Sequence, residues 1–114
     1  MALHYNLSKV YALSDNDSDF VLQIMKVFIA EVPHDLMHLE SGIEEKNYSQ
    51  TYSYAHKLKP TLDLLGMEMM YDEILQIESW TKAKGKRKEI EEVFKSLKAQ
   101  LDKAIKEIKK DFNL

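Results

Sequence analysis

Apolar residues recur at intervals of three and four along almost the whole chain, and the strict alternation typical of strands is absent. The pattern predicts five helices, at about residues 7–13, 17–44, 48–65, 67–83 and 86–111. Each of the four long helices carries one continuous apolar stripe. The stripe of the second helix consists of Phe20, Ile24, Phe28, Val32, Leu36, Leu39 and Ile43. Pro33 lies inside this helix and predicts a kink, but the stripe keeps its phase and therefore favours one bent helix.

Cap and turn residues separate the predicted helices. Residues 14–19 are all Ser, Asp or Asn, Asn47 precedes the third helix with Gln50 in a capping-box arrangement, and Gly66 follows that helix. Four amphipathic helices with short connections bury their stripes most simply in an antiparallel up-down-up-down bundle. The sequence thus predicts an all-α fold in which the short N-terminal helix caps one end. With no internal repeat, residues 1–114 are expected to form one domain.

Composition narrows the classes of function. The 114 residues are 45% apolar, which suits one compact domain, and the absence of cysteine excludes disulfides, cysteine metal sites and a cysteine nucleophile. A net charge of −3 argues against nucleic-acid binding, and only three glycines leave no glycine-rich phosphate loop. There is neither an apolar run long enough to cross a membrane nor a signal peptide, so we expect a cytoplasmic protein. We also expect the protein to be a monomer. The initial Met and the full set of helices favour a free-standing protein over a domain of a larger kinase.

The third helix carries the strongest functional candidate, His56. When its apolar stripe is taken as the inward direction, at about 100° per residue, the His56 side chain points away from the core. The residues that share the outward patch are Ser49, Tyr52, Ser53, Lys59, Pro60 and Asp63. Pro60 removes the amide that would bond the His56 carbonyl, at a cost of ~3 kcal/mol in an ordinary helix. A proline inside a helix at this position favours a functional role for the outward patch. The structural alternatives are ordinary surface residues and a simple kink of the helix.

The run Ala55-His56-Lys57-Leu58-Lys59, followed by Gly66, resembles the signature of histidine-containing phosphotransfer (HPt) domains of two-component phosphorelays. The short leading helix, the acidic cap before Phe20, residues 28–33 and Tyr48 resemble that family as well. The resemblance implies a signal-transduction intermediate: His56 accepts a phosphoryl group from the phospho-aspartate of one receiver domain and passes it to another. It implies that Lys59 stabilises the phosphoryl charge, whereas Lys57, on another flank, is expected to be a solvated surface residue or a rim contact.

The resemblance also implies a carrier that is not an enzyme and has no cofactor or metal of its own. Its partners would be receiver domains of response regulators and a hybrid histidine kinase, and the receiver would bring the Mg²⁺. Partner binding would involve Tyr52, Ser53, Pro60, Asp63, Leu64 and Glu78, with Leu64 exposed as part of a docking patch. The family usually has Gly at the position of Pro60 and often Gln or another polar residue at that of Glu78. A carboxylate at position 78 would hydrogen-bond the imidazole but repel a bound phosphoryl group.

Two other functions compete with this hypothesis. One is a helical adaptor that binds a receiver or another signalling partner without phosphoryl transfer. The other is a metal-binding bundle, suggested by the Glu-x-x-His arrangement of Glu31 and His34 and by His38 four residues on. Because this motif occurs once and is interrupted by Pro33, surface histidines are the favoured interpretation. Met67, Met69 and Met70 are interpreted as core filler rather than a copper site, and the basic run 82–88 as a solvated loop.

Overall fold

Five helices account for most of residues 4–114: α1 (Ser8–Leu13), α2 (Ser18–Glu44), α3 (Tyr48–Leu64), α4 (Glu68–Ala83) and α5 (Arg87–Asp111). This computed structural model describes residues 4–114, and within that range it contains no strand. The observed helix bounds differ from the predicted ranges by at most one residue at each end. The all-α class predicted from the spacing of apolar residues is confirmed.

Side-chain caps explain where α2 and α3 begin. The Asp17 carboxylate accepts hydrogen bonds from the backbone amides of Asp19 and Phe20 and starts α2. The Asn47 side chain accepts one from the Gln50 amide, at 3.1 Å, and starts α3. The predicted capping box is only half formed, because the Gln50 side chain donates instead to the His38 carbonyl oxygen, at 2.8 Å.

The four long helices form a closed bundle in which α2 and α4 each contact both α3 and α5. Short turns join consecutive helices, so neighbours run antiparallel as predicted. Gly42 allows α2 and α3 to approach closely, since an added Cβ there would lie 2.5 Å from Thr51 Oγ1. The largest fully buried side chains, which make the centre of the core, are Met25, Leu39, Leu62, Leu65, Ile74, Ile77, Leu97, Leu101 and Ile108.

The N-terminal segment covers the end of the bundle at which α3 ends and α4 begins. Val10 of α1 is fully buried, and the Asn6 amide donates to the Leu65 carbonyl oxygen at 2.7 Å. The Tyr5 hydroxyl donates to the Asp111 carboxylate at 2.6 Å. Burial first, and then this hydrogen bond, raise the pKa of Tyr5. The short helix therefore acts as the predicted cap.

The structure corrects one detail of the α2 stripe and supports another. Phe20 was expected in the core but is 49% exposed, and Val21 and Met25 take the inward positions at this end. The reason is the phase of the helix: Val21, Met25, Phe28 and Val32 follow one another at steps of four, three and four, and Phe20 lies about 100° away from Val21. Helix α2 continues through Pro33 as one helix, as the unbroken phase of the stripe predicts.

Within residues 4–114, none of the helices combines the length and apolar character needed to cross a membrane.

Candidate functional site

His56 lies on the outward face of α3, with 59% of its side chain exposed. Its neighbours Ala55 and Leu58 are buried, and their direction leaves the imidazole outside the core. The His56 Nδ1 atom is 3.2 Å from Oε2 of Glu78, a residue of α4. The predicted exposure of this histidine is therefore seen, and its ring is held from the neighbouring helix.

Glu78 is a carboxylate that is only 5% exposed, at the seam between α3 and α4. A buried charge is costly unless it is hydrogen-bonded and paired. Its Oε2 accepts from His56, and its Oε1 accepts from Lys59 Nζ at 3.0 Å. The hydrogen bond to Glu78 is the main cause that raises the pKa of Lys59, so Lys59 stays charged at neutral pH. One carboxylate thus joins the two residues that carry the candidate chemistry.

This arrangement selects one tautomer of the neutral His56 ring. An ionised carboxylate can only accept hydrogen bonds, so the ring hydrogen is inferred to be on Nδ1, where it is donated to Glu78. The lone pair then lies on Nε2, at the other side of the ring. A nucleophilic nitrogen consequently points away from Glu78.

Two residues of the α3–α4 surface add to the site. The Tyr52 ring stacks on the His56 ring, with centroids 5.6 Å apart and an angle of 12° between the planes. Lys82 Nζ lies 5.7 Å from the centroid of the Tyr52 ring. Tyr52 therefore limits the rotation of the imidazole, and Lys82 adds a second cation at the edge of the site. Sequence reasoning missed Lys82 because the basic run 82–88 looked like a solvated loop.

The other predicted site residues of α3 lie before and after His56 on its outward side. Ser53 and Pro60, three residues before and four after His56, are exposed, and α3 continues through Pro60. These small side chains leave the approach to the imidazole open on the side that faces α2. Asp63 instead forms an ion pair with Lys9 at 2.9 Å, close to the N-terminal segment.

The structure corrects one expectation about the outer face of α3 and adds a contact to another. Leu64 was expected as an exposed leucine, but it is half-buried and packs against the core, where it lines the groove between α2 and α3. Lys57, expected as a solvated surface residue or a rim contact, has a side chain that is 52% exposed, and its Nζ lies 3.0 Å from the buried Asp35 carboxylate. That hydrogen bond is the main cause that raises the pKa of Lys57.

A groove of about 220 Å³ runs between α2 and α3, and Lys57, Thr61 and Leu64 line it on the α3 side. Its wall contains Ile24, Val27 and Leu64, and Val27 is 53% exposed. An apolar groove with a polar border is typical of a surface that binds another protein.

No group of three or more metal-ligating side chains occurs among residues 4–114. Of the predicted metal motif, His34 and His38 lie together, whereas the Glu31 carboxylate lies 4.0 Å from Lys57 Nζ. Met67 and Met70 are buried in the core, as core filler would be, and Met69 is 70% exposed.

Comparisons with known proteins were made for the sequence and for the fold. The family model of the Hpt domain matches residues 23–110. A solved structure of the HPT domain from the Hpt sensor hybrid histidine kinase of Shewanella is similar, with a TM-score of 0.82 and 17% sequence identity. That match covers 96% of this chain and 94% of the other. The comparison with curated proteins gives no significant match.

Proposed function

This chain belongs to the Hpt domain family, and from that premise we propose that it is a phosphorelay intermediate whose phosphoryl acceptor and donor is His56. Histidine phosphotransfer in two-component signalling is the general role of the family. The observation that carries the assignment to His56 is its hydrogen bond to the buried Glu78, which leaves Nε2 free on an open face of α3. His34 and His38 lack such a buried carboxylate at hydrogen-bonding distance.

In the proposed transfer, the Nε2 lone pair attacks the phosphorus of a receiver phospho-aspartate. The nitrogen–phosphorus bond forms as the bond to the aspartate oxygen breaks, and the aspartate leaves as a carboxylate. Positive charge develops on the imidazole, and Glu78 stabilises it through the hydrogen bond to Nδ1. The reverse reaction, on a second receiver, returns the ring to its neutral form.

Lys59 has two roles in this proposal. In the resting protein it neutralises the Glu78 carboxylate, at 3.0 Å. During transfer its flexible ammonium group can also contact the phosphoryl oxygens, because transfer of this kind depends mainly on positioning and charge compensation. The receiver domain is proposed to supply the Mg²⁺ and its carboxylate ligands.

The receiver is proposed to dock on the open side of His56, over the groove between α2 and α3. Ser53 and Pro60 leave room for the receiver's active site, and Val27 offers exposed apolar area next to it. Asp63 lies two turns beyond His56 on the same side of α3, where its exposed carboxylate pairs with Lys9, so it is proposed as a contact at the edge of this surface.

The direct test mixes the protein with a receiver domain that carries a radiolabelled phosphoryl group. Label should move to the wild-type protein as an acid-labile adduct, and His56→Gln should accept none. His34→Gln is the matched control, because His34 is also an exposed histidine on a long helix. Equal labelling of wild type and His56→Gln would refute the proposal. Receiver binding by both proteins without any adduct would favour the adaptor function instead.

A further inference from the structure

His34 and His38 lie one helical turn apart on the solvent side of α2, away from the contacts of His56. Their Nε2 atoms are 3.2 Å apart, and their ring centroids are separated by 4.5 Å. The side chain of His34 is 65% exposed, so the space beyond the two nitrogens is open to solvent. The Nε2 atoms of the two rings therefore face each other, although residues four apart on a helix can also direct their side chains apart.

Neighbouring residues hold both rings in this arrangement. The His38 ring stacks on Tyr54 of α3, with centroids 4.8 Å apart and an angle of 8° between the planes. His34 Nδ1 lies 3.8 Å from the carboxylate of Asp35, whose side chain is only 4% exposed. Because the two Nε2 atoms are within hydrogen-bonding distance of each other, one of them carries a hydrogen and the other presents its lone pair. At least one of the two nitrogens is thus prepared to act as a ligand.

The separation of the two nitrogens matches the geometry of a metal site. Zinc–nitrogen bonds are about 2.0–2.1 Å long, so two nitrogens at tetrahedral or right angles around one ion are about 2.9–3.4 Å apart. The observed 3.2 Å lies within this interval. In the metal-free protein the short contact needs a hydrogen on one Nε2, which the other accepts. Metal binding requires that hydrogen to move to Nδ1 of its own ring, which remains neutral.

We propose that His34 and His38 bind one divalent transition-metal ion of the zinc or copper class through their Nε2 atoms. Imidazole nitrogens select this class over Mg²⁺ and Ca²⁺, which prefer oxygen ligands. The residues 4–114 offer no third side chain in the cluster, so water fills the remaining positions. The site is open and exchangeable, and it does not depend on the phosphotransfer assigned to His56.

Titration with Zn²⁺ alone, followed by calorimetry and by the ¹⁵N shifts of the histidine rings at pH 7.5, tests this site. One ion should bind per chain, and the Nε2 signals of His34 and His38 should shift together. Loss of either ligand removes the chelate effect, so His34→Gln and His38→Gln should each weaken binding by about 100-fold. His34→Gln is the safer variant for folding, because His38 also stacks on Tyr54.

Two controls separate this site from other nitrogen ligands. His56→Gln and His4→Gln should bind Zn²⁺ as wild type does, although His56→Gln abolishes phosphotransfer. Unchanged affinity in His34→Gln would overturn the proposal, as would ring shifts confined to His4 or His56. Because the readout is metal binding, a failed phosphotransfer assay would leave this result intact.

Discussion

Removal of Lys59 should expose the negative charge of Glu78 to the phosphoryl group. Glu78 Oε2 lies 3.2 Å from His56 Nδ1. The width of the ring and one nitrogen–phosphorus bond place a phosphorus on Nε2 about 7 Å from this oxygen. Coulomb's law then gives a Glu78–phosphoryl repulsion of about 0.6 kcal/mol per unit charge in water, and about 2.4 kcal/mol at an effective dielectric constant of about 20. In the wild type, Lys59 at 3.0 Å from Oε1 cancels most of it.

The middle of this range of repulsion energies, about 1.5 kcal/mol, corresponds to a change of about tenfold in a rate or an equilibrium constant. We therefore expect Lys59→Ala to lower both the rate of His56 phosphorylation and its final extent by about tenfold. The double variant Lys59→Ala with Glu78→Gln should recover part of this loss, because the glutamine amide oxygen can still accept from His56 Nδ1 and no unpaired carboxylate remains. Lys59→Arg, which keeps a cation beside Glu78, should stay within about threefold of wild type.

The assay uses a small-molecule phosphoramidate donor as well as a phosphorylated receiver, so that docking and chemistry are separated. Circular dichroism at the assay temperature verifies that each variant is folded. Lys57→Ala is the matched control, since Lys57 forms an equivalent 3.0 Å contact with Asp35 away from Glu78. It should not change labelling by phosphoramidate. A double variant as slow as Lys59→Ala would refute the view that Glu78 is the source of the repulsion.

Three further predictions concern docking, packing and pH. Val27→Glu places a charge in the apolar groove and should slow transfer from a receiver by about tenfold without affecting labelling by phosphoramidate. Gly42→Ala forces a Cβ to within 2.5 Å of Thr51 Oγ1 and should lower the free energy of unfolding by about 1–2 kcal/mol in urea titrations. Tyr5 has a raised pKa in the folded state, so its contribution to stability is complete below the usual value of 10.0 and is lost above it. Urea titrations from pH 9 to pH 11 should show a smaller loss of stability in Tyr5→Phe than in wild type.

Each of these predictions has an outcome that contradicts it. Met37→Glu, on α2 at 70% exposure and outside the groove, should transfer normally, and an equal loss in this variant would remove the groove from the docking surface. Gly42→Ala combined with Thr51→Ala should be less destabilised than the sum of the two changes, since the clashing oxygen is gone, and strict additivity would argue against the clash. If the free energy of unfolding of Tyr5→Phe and of wild type fell equally between pH 9 and pH 11, Tyr5 would not be a cause of the loss of stability at high pH.

The helices and their buried faces could be predicted from the sequence because the signals are local. Apolar spacing, the caps at Asp17 and Asn47 and the stop at Gly66 act within a few residues of the chain. Phe20 shows the limit of such signals, because a stripe alone does not distinguish two adjacent positions at a helix end. Leu64 shows it too, since its burial depends on a groove that α2 completes.

His56 and Lys59 were recognisable because they are three residues apart on one helix. The surroundings that give them their chemistry were not, since Glu78 follows His56 by 22 residues and reaches it only through the packing of α3 against α4. Sequence spacing placed the imidazole on the outside of the bundle. Tertiary structure decided that a buried carboxylate holds Nδ1 of His56 and that Lys59 pairs with the same carboxylate. It also decided that the rings of His34 and His38 meet at their Nε2 atoms. The physical reason is that helix periodicity sets only the direction of a side chain, whereas hydrogen bonds and charge compensation require atoms of separate helices to meet.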